Sequence, residues 1–215
     1  MNYPNFATYV DTFPLNFYIN PMESFVKKFI MLLTLLNIAV FAQDTFTDSR
    51  DGKKYKTVKI GNQIWMAENL NFDAPDSKCY DNSQENCAKY GRLYNWETAM
   101  KICPNGWHLP SYEEWTTLTD FVGGIKTAGT KLKAKSGWSE DGNGTDDFGF
   151  SALPGGGGDR HGSFSYIGLY GNWWSATELN SGIANLRIMY YDDERTDWNF
   201  NYGKSNLFSL RCLQD

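Results

Sequence analysis

"CPNGWHLPSYEEW" runs from Cys103 to Trp115 and poses a choice between an active site, a metal site and a piece of fold. Pro104-Asn105-Gly106 carries turn chemistry, and Trp107-His108-Leu109 reads as brief extended chain ahead of Pro110. Ser111 and Glu114 have the spacing of a capping box, in which the serine hydroxyl covers one free backbone amide while the glutamate reaches back to another. Glu113 and Glu114 then lie in the first helical turn, where the helix dipole favours negative charge. Trp115, Leu118 and Val122 share one helix face, and Gly123-Gly124 predict its end. Trp107 and Trp115 read as core, and His108 as a hydrogen-bonded structural histidine. The stretch is scaffold.

The 215 residues suit one domain, and 20 glycines favour turns over long helices. A net charge of −5 argues against a general nucleic-acid binder. The densest basic stretch, "KKYKTVK" from Lys53 to Lys59, alternates charge with apolar residues and so predicts a strand with one wet face.

Upstream, "MESFVKKFIMLLTLLNIAVFAQD" begins at Met22. Lys27 and Lys28 precede an apolar run from Phe29 to Val40, with Val40 and Ala42 at the −3 and −1 positions of a cleavage site. Residues 22–42 are therefore expected to be a secretory signal peptide, whose apolar run of about twelve residues is short for a membrane span. Residues 1–21 carry no such character and read as an upstream mis-start or a disordered extension, leaving 43–215 as the mature domain. The expected location is secreted, cell-surface or periplasmic in a bacterium, with no membrane span after cleavage.

Export changes how the cysteines read. Cys79, Cys87, Cys103 and Cys212 make an even count, which suggests two disulfides in one of three pairings. Cys79 and Cys87 flank the polar stretch "YDNSQEN" as a local staple, which leaves Cys103 for Cys212.

The rest of the chain predicts an α+β fold. Lys56–Ile60 and Gln63–Ala67 alternate around Gly61-Asn62, a pair suited to a type II′ hairpin turn. Asn95 is placed to cap a helix of about two turns. From Ser136 onward glycines dominate and helical periodicity fades. Three alternating sets then predict a terminal antiparallel meander: Leu186, Ile188 and Tyr190; Thr196, Trp198 and Phe200; Phe208, Leu210 and Cys212.

No constellation of reacting groups emerges. His108 and His161 are far apart, no clustered metal spacing or nucleophile elbow exists, and the cysteines are committed to disulfides, so the chain is expected not to be an enzyme. "PGGGGDR" at 154–160 reads as a flexible surface loop. "SEDGNGTDD" offers oxygen donors at Asp141, Asn143, Thr145, Asp146 and Asp147, against which stands an Asp/Asn/Gly turn that bonds to itself. No cofactor is expected, with calcium left open. "MYYDDERTDWNFNYGKSN" at 189–206 is rich in Tyr, Asp and Asn, residues that give large contact area and adaptable hydrogen bonding. Tyr190, Tyr191, Asp193, Asp197, Asn199 and Tyr202 are the expected ligand contacts. The alternative is that Trp198 and Phe200 are core and the rest a solvated hairpin.

Six segments, "GNQIWMAENL" (61–70), "YGRLYNWETAM" (90–100), "CPNGWHLPSYEEW", "DDFGFSALPGG" (146–156), "GNWWSATE" (171–178) and "SLRCLQD" (209–215), together resemble the Fibrobacter succinogenes major paralogous domain family. That resemblance implies a C-type-lectin-like fold with two short helices, small antiparallel sheets and long Gly-rich loops. It also implies that the region before the last strand presents ligand-binding surface. The expected function is an exported, non-catalytic binding or adhesion domain for an extracellular glycan or protein, without nucleic-acid partners. The alternative is a structural envelope or matrix protein, and less so a polysaccharide-active enzyme.

Overall fold

A computed structural model of the chain describes residues 44–215, and the side chains of 197–201 are outside the described set. The expected signal peptide and the stretch before it lie outside the described residues. Among the described residues, two five-stranded sheets and four short α-helices make a mixed α+β domain.

The first sheet has the order β1-β2-β3-β10-β4: β1 is Asp44–Thr47, β2 Lys54–Ile60, β3 Gln63–Met66, β4 Trp107–His108 and β10 Leu213–Gln214. β2 and β3 form the expected hairpin, with Ile60 opposite Gln63. Gly61 has φ +61° while Asn62 does not enter positive φ, the sign pattern of a type II′ turn. Tyr55, Val58 and Ile60 are buried while Lys54, Lys56 and Lys59 are exposed, so the wet face predicted for this strand is present. The second sheet has the order β6-β5-β7-β8-β9: β5 is Gly155–Gly158, β6 Phe164–Ile167, β7 Tyr170–Asn180, β8 Ile183–Tyr190 and β9 Thr196–Gly203. Its pairings are antiparallel except β5 with β7, where Gly156 meets Gly171 in parallel.

The helices are α1 (Gln84–Tyr90), α2 (Trp96–Ile102), α3 (Tyr112–Phe121) and α4 (Ala128–Leu132). Two of them are those the sequence predicts. Asn95 caps α2 by accepting from the Thr98 amide, and α3 opens with the complete Ser111–Glu114 capping box. Trp115, Leu118 and Val122 are buried as the spacing requires, and Gly123 and Gly124 follow at φ +113° and +88°. Helices α1 and α4 are additional. With seven and five residues they present too little periodicity to stand out, and Cys87 sits inside α1 rather than at the end of a loop.

β7 shows how one strand serves two cores. Successive side chains on a strand point to opposite faces, so the adjacent Trp173 and Trp174 diverge. Trp173 joins Trp65, Trp115 and Phe150, with Trp65 and Trp115 centroids 4.7 Å apart. Trp174 packs on Phe208 at 4.9 Å, beside Tyr94 and Leu186. Both tryptophans are fully buried.

Two expectations are corrected. The meander consists of β7, β8 and β9, and the last alternating set does not supply its third strand. Residues 207–213 are buried on both sides and cross from one sheet to the other. Leu207 bridges Gly158, Phe208 bridges Tyr94, and Ser209 runs parallel to Trp173 before Leu213 enters the first sheet opposite Trp65 and His108. Alternation marks a strand with one dry face, whereas here the polar residues between are buried too, Ser209 at 1% and Arg211 at 0% exposure. The glycine run is likewise no flexible loop: Gly155–Gly158 is a mostly buried strand. A Cβ on Gly157 would lie 2.6 Å from the Phe208 ring, so bare backbone is what lets the terminal segment pass.

Both expected disulfides are present, Cys79–Cys87 and Cys103–Cys212. The second ties the residue after α2 to the terminal segment.

Candidate functional site

The β5–β6 hairpin places an aromatic residue in an unusual backbone conformation. Gly155 pairs with Ile167 and Gly157 with Ser165, which leaves Gly156 and Tyr166 facing each other, both at positive φ (+64° and +70°). Gly156 has little alternative, since a Cβ there would fall 2.5 Å from the Ser165 carbonyl oxygen. Tyr166 has no exemption from the left-handed penalty of about 1–2 kcal/mol. It nonetheless stays 55% exposed. A large aromatic that is both strained and solvent-facing is a functional candidate, because folding alone would select against it.

Tyr166 stacks on Tyr170 with centroids 4.5 Å apart and planes 15° from parallel, and Tyr190 meets the other side of Tyr170 edge-on at 4.8 Å. Across from them Tyr202, 40% exposed, stands edge-on to Phe208 at 5.3 Å. Between these rings is an open cleft of about 160 Å³, also lined by Ser163, Ser165, Asn172 and Asn206. Asn172 donates one amide hydrogen to the Gly156 carbonyl at 3.0 Å, and Asn206 donates one to Gly203 at 2.9 Å. A side-chain amide offers two donors and an acceptor, so each is fixed in orientation with capacity to spare. Burial, and then the nearness of Tyr166 and Tyr170, raises the Tyr202 pKa, so its phenol stays a neutral donor and acceptor. The cleft can hold a flat, partly apolar ring with polar substituents at its rim.

The six expected contact residues divide. Tyr202 lines the aromatic cleft, and Tyr190 packs behind it against Tyr170. Tyr191 and Asp193 lie in the β8–β9 turn, where buried Lys133 donates to the carbonyls of Tyr190 at 3.0 Å and Asp193 at 3.1 Å. The Asp193 carboxylate pairs with Arg195 at 2.7 Å, and that hydrogen bond lowers its pKa against the opposing effect of burial. The side chains of Asp197 and Asn199 lie outside the described residues, as do those of Trp198 and Phe200, although the β9 backbone pairs with β8. Sequence reasoning missed Tyr166, Tyr170 and Asn172. Their one signal was "SYIGLYGN" at 165–172, tyrosines spaced around two glycines.

His108 is hydrogen-bonded, as expected. Its Nε2 lies 2.9 Å from Glu114 Oε1 and its Nδ1 2.6 Å from Asp215 Oδ1. Only an imidazolium can donate to both. Burial works against the charge, but the two carboxylates outweigh it and raise the pKa above the usual histidine value. In the acidic loop, Asn143 accepts from the Trp138 amide at 3.1 Å, and Asp146 accepts from the Ser151 amide and hydroxyl at 2.7 and 2.6 Å. These oxygens are engaged by the chain on either side of the loop, at Trp138 and Ser151. Among the described residues no group of His, Cys, Asp and Glu is placed to hold a metal ion, and no helix is long and apolar enough to cross a membrane. The two disulfides fit an extracellular protein.

The family model for the Fibrobacter succinogenes major domain matches residues 58–214. The chain belongs to that family. No curated protein and no solved structure matches it.

Proposed function

We propose that this member of the Fibrobacter succinogenes major domain family is an exported, non-catalytic binding module that meets an extracellular glycan or protein at the Tyr166–Tyr170–Tyr202 cleft. The observation that carries the reading is Tyr166 itself: 55% exposed, at φ +70°, and stacked on Tyr170. Rigid aromatics on a paired sheet give contact area at low entropic cost, and the fixed amides of Asn172 and Asn206 add direction.

A C-type-lectin-like arrangement is supported by the first and last strands, β1 and β10, sharing a sheet, with loops and hairpins of the second half presenting the surface. A secretory leader at 22–42 and two disulfides support export to the surface, the periplasm or the medium. All four cysteines are oxidised and both nitrogens of His108 are engaged by carboxylates, which supports a role without a reacting group.

The test is capture of ligands by the immobilised, oxidised protein from glycan arrays and cell-surface extracts. Tyr166→Ala and Tyr202→Ala are expected to lose capture while keeping the melting temperature within a few degrees. Capture that survives both substitutions, or that falls only as far as folding does, would remove the cleft from the account.

A further inference from the structure

We propose that the ligand is a saccharide chain that lays one sugar ring on Tyr166 and continues past Asp159 into a second, larger groove. This rests on the binding-module reading above and narrows it to a substrate class.

The size of the cleft comes first. About 160 Å³ is well short of the roughly 300–1,000 Å³ that pockets for drug-sized ligands occupy, so it seats one ring and no more. A pyranose presents an apolar C–H face and a rim of hydroxyls. The negative face of a tyrosine ring suits the first, and oriented amides and hydroxyls suit the second. Tyr166, Asn172 and Asn206 supply that pairing.

The cleft is not closed. Asp159 lines it and also lines an adjoining groove of about 620 Å³ walled by Asn95, Glu97, Arg160, His161 and Lys204. Asp159 Oδ1 accepts from the amides of His161 at 2.8 Å and Ser163 at 2.9 Å. One carboxylate thus shapes the turn that puts Ser163 on the ring side and Arg160 and His161 on the groove side. The groove walls are polar and carry both signs of charge, so they do not select a polyanion; they suit hydroxyl-rich units following the first.

An extended peptide is the less favoured occupant. Strand addition needs a long, regular edge: β6 is four residues long with Tyr166 at positive φ inside it, and β9, at the other edge, is interrupted by a register shift against β8.

The experiment is calorimetric titration of the oxidised protein with ladders of neutral oligosaccharides of increasing length, β-glucan, xylan and mannan among them. Affinity for one ladder should rise with length and then level off. Tyr166→Ala should weaken binding at every length by about tenfold, the worth of a lost stacking contact. The double variant Arg160→Ala/His161→Ala, on an exposed turn, should flatten the length dependence and leave the shortest ligand unaffected. Equal affinity at all lengths, or an unaltered ladder in the double variant, overturns the groove. Capture of a protein from surface extracts with every ladder silent overturns the saccharide while the binding module stands. Silence toward both ladders and extracts overturns both.

Discussion

Asn69 accepts a hydrogen bond from Arg211 across 142 residues of chain, Nε to Oδ1 at 3.1 Å, at a point where both residues are buried. The same oxygen accepts from Trp173 Nε1 at 2.8 Å, and the Asn69 amide donates to the Tyr90 carbonyl at 2.8 Å. Arg211 donates as well to the carbonyls of Phe150 and Ser151 and lies over the Phe150 ring at 4.2 Å. Its acceptors are neutral, and burial pushes the guanidinium pKa down to about 9. One short amide therefore joins the early hairpin, β7 and the terminal segment.

Replacing Asn69 with Ala or Leu would strand the Trp173 N–H, the Arg211 Nε–H and the Tyr90 carbonyl in the interior. Each buried orphan costs about 1–3 kcal/mol, and losses at one centre overlap, so the expected destabilisation is about 3–5 kcal/mol. Urea unfolding should show a lower midpoint at an unchanged slope. A loss under about 1 kcal/mol would mean water replaces the amide.

The two disulfides should contribute unequally. Cys103–Cys212 closes a separation of 109 residues and Cys79–Cys87 one of 8. Loop-closure entropy then assigns about 4–5 kcal/mol to the first and about 2–3 to the second. The Cys103→Ala/Cys212→Ala protein should melt well below Cys79→Ala/Cys87→Ala in calorimetry. Mass spectrometry of the unreduced wild type should find no free thiol.

His108 gives stability a pH dependence. Its folded pKa is raised, burial being outweighed by Asp215 and Glu114. The contribution is complete below the unfolded value of about 6.5, provided the carboxylates stay ionised, and is lost as pH rises through the folded value. The melting temperature should therefore fall as pH rises from about 6.5 through the raised folded value, and His108→Gln should flatten that part of the profile. Because the imidazole is more than a third exposed, the effect is a modest one.

The β5–β6 hairpin predicts a contrast between glycines. Gly156→Ala meets the Ser165 carbonyl at 2.5 Å and keeps a positive φ, so a loss of about 3 kcal/mol is expected. Gly162→Ala, also at positive φ but with nothing within 4 Å, should cost about 1 kcal/mol, as thermal melts of the two would show.

Tyr166 should trade stability for binding. Tyr166→Gly frees the left-handed position and should be about 1 kcal/mol more stable than Tyr166→Ala, while both lose ligand. Equal stability of the two would mean the backbone relaxes there.

What was legible in the sequence was local or nearly so. The Gly61-Asn62 hairpin, the Asn95 and Ser111 caps, the buried face of α3 and the two cysteine pairs each depend on a few neighbouring residues or on an even count of four. Family membership was legible because its segments are motifs in a fixed order. The aromatic cleft was less so: Tyr202 belonged to a stretch rich in Tyr, Asp and Asn, whereas Tyr166 reaches Tyr170 only through the pairing of β6 with β5 and of β5 with β7.

The amino-acid order by itself determined the β2–β3 hairpin, the capped starts of α2 and α3 and an even set of cysteines, because caps, turns and strand alternation are decided within a few bonds of one another. Only the tertiary structure decided that four glycines form a strand, that the last residues run between two sheets, and that a buried arginine rests on Asn69. Those outcomes hang on what another part of the chain brings against a backbone, a close approach that local spacing does not encode.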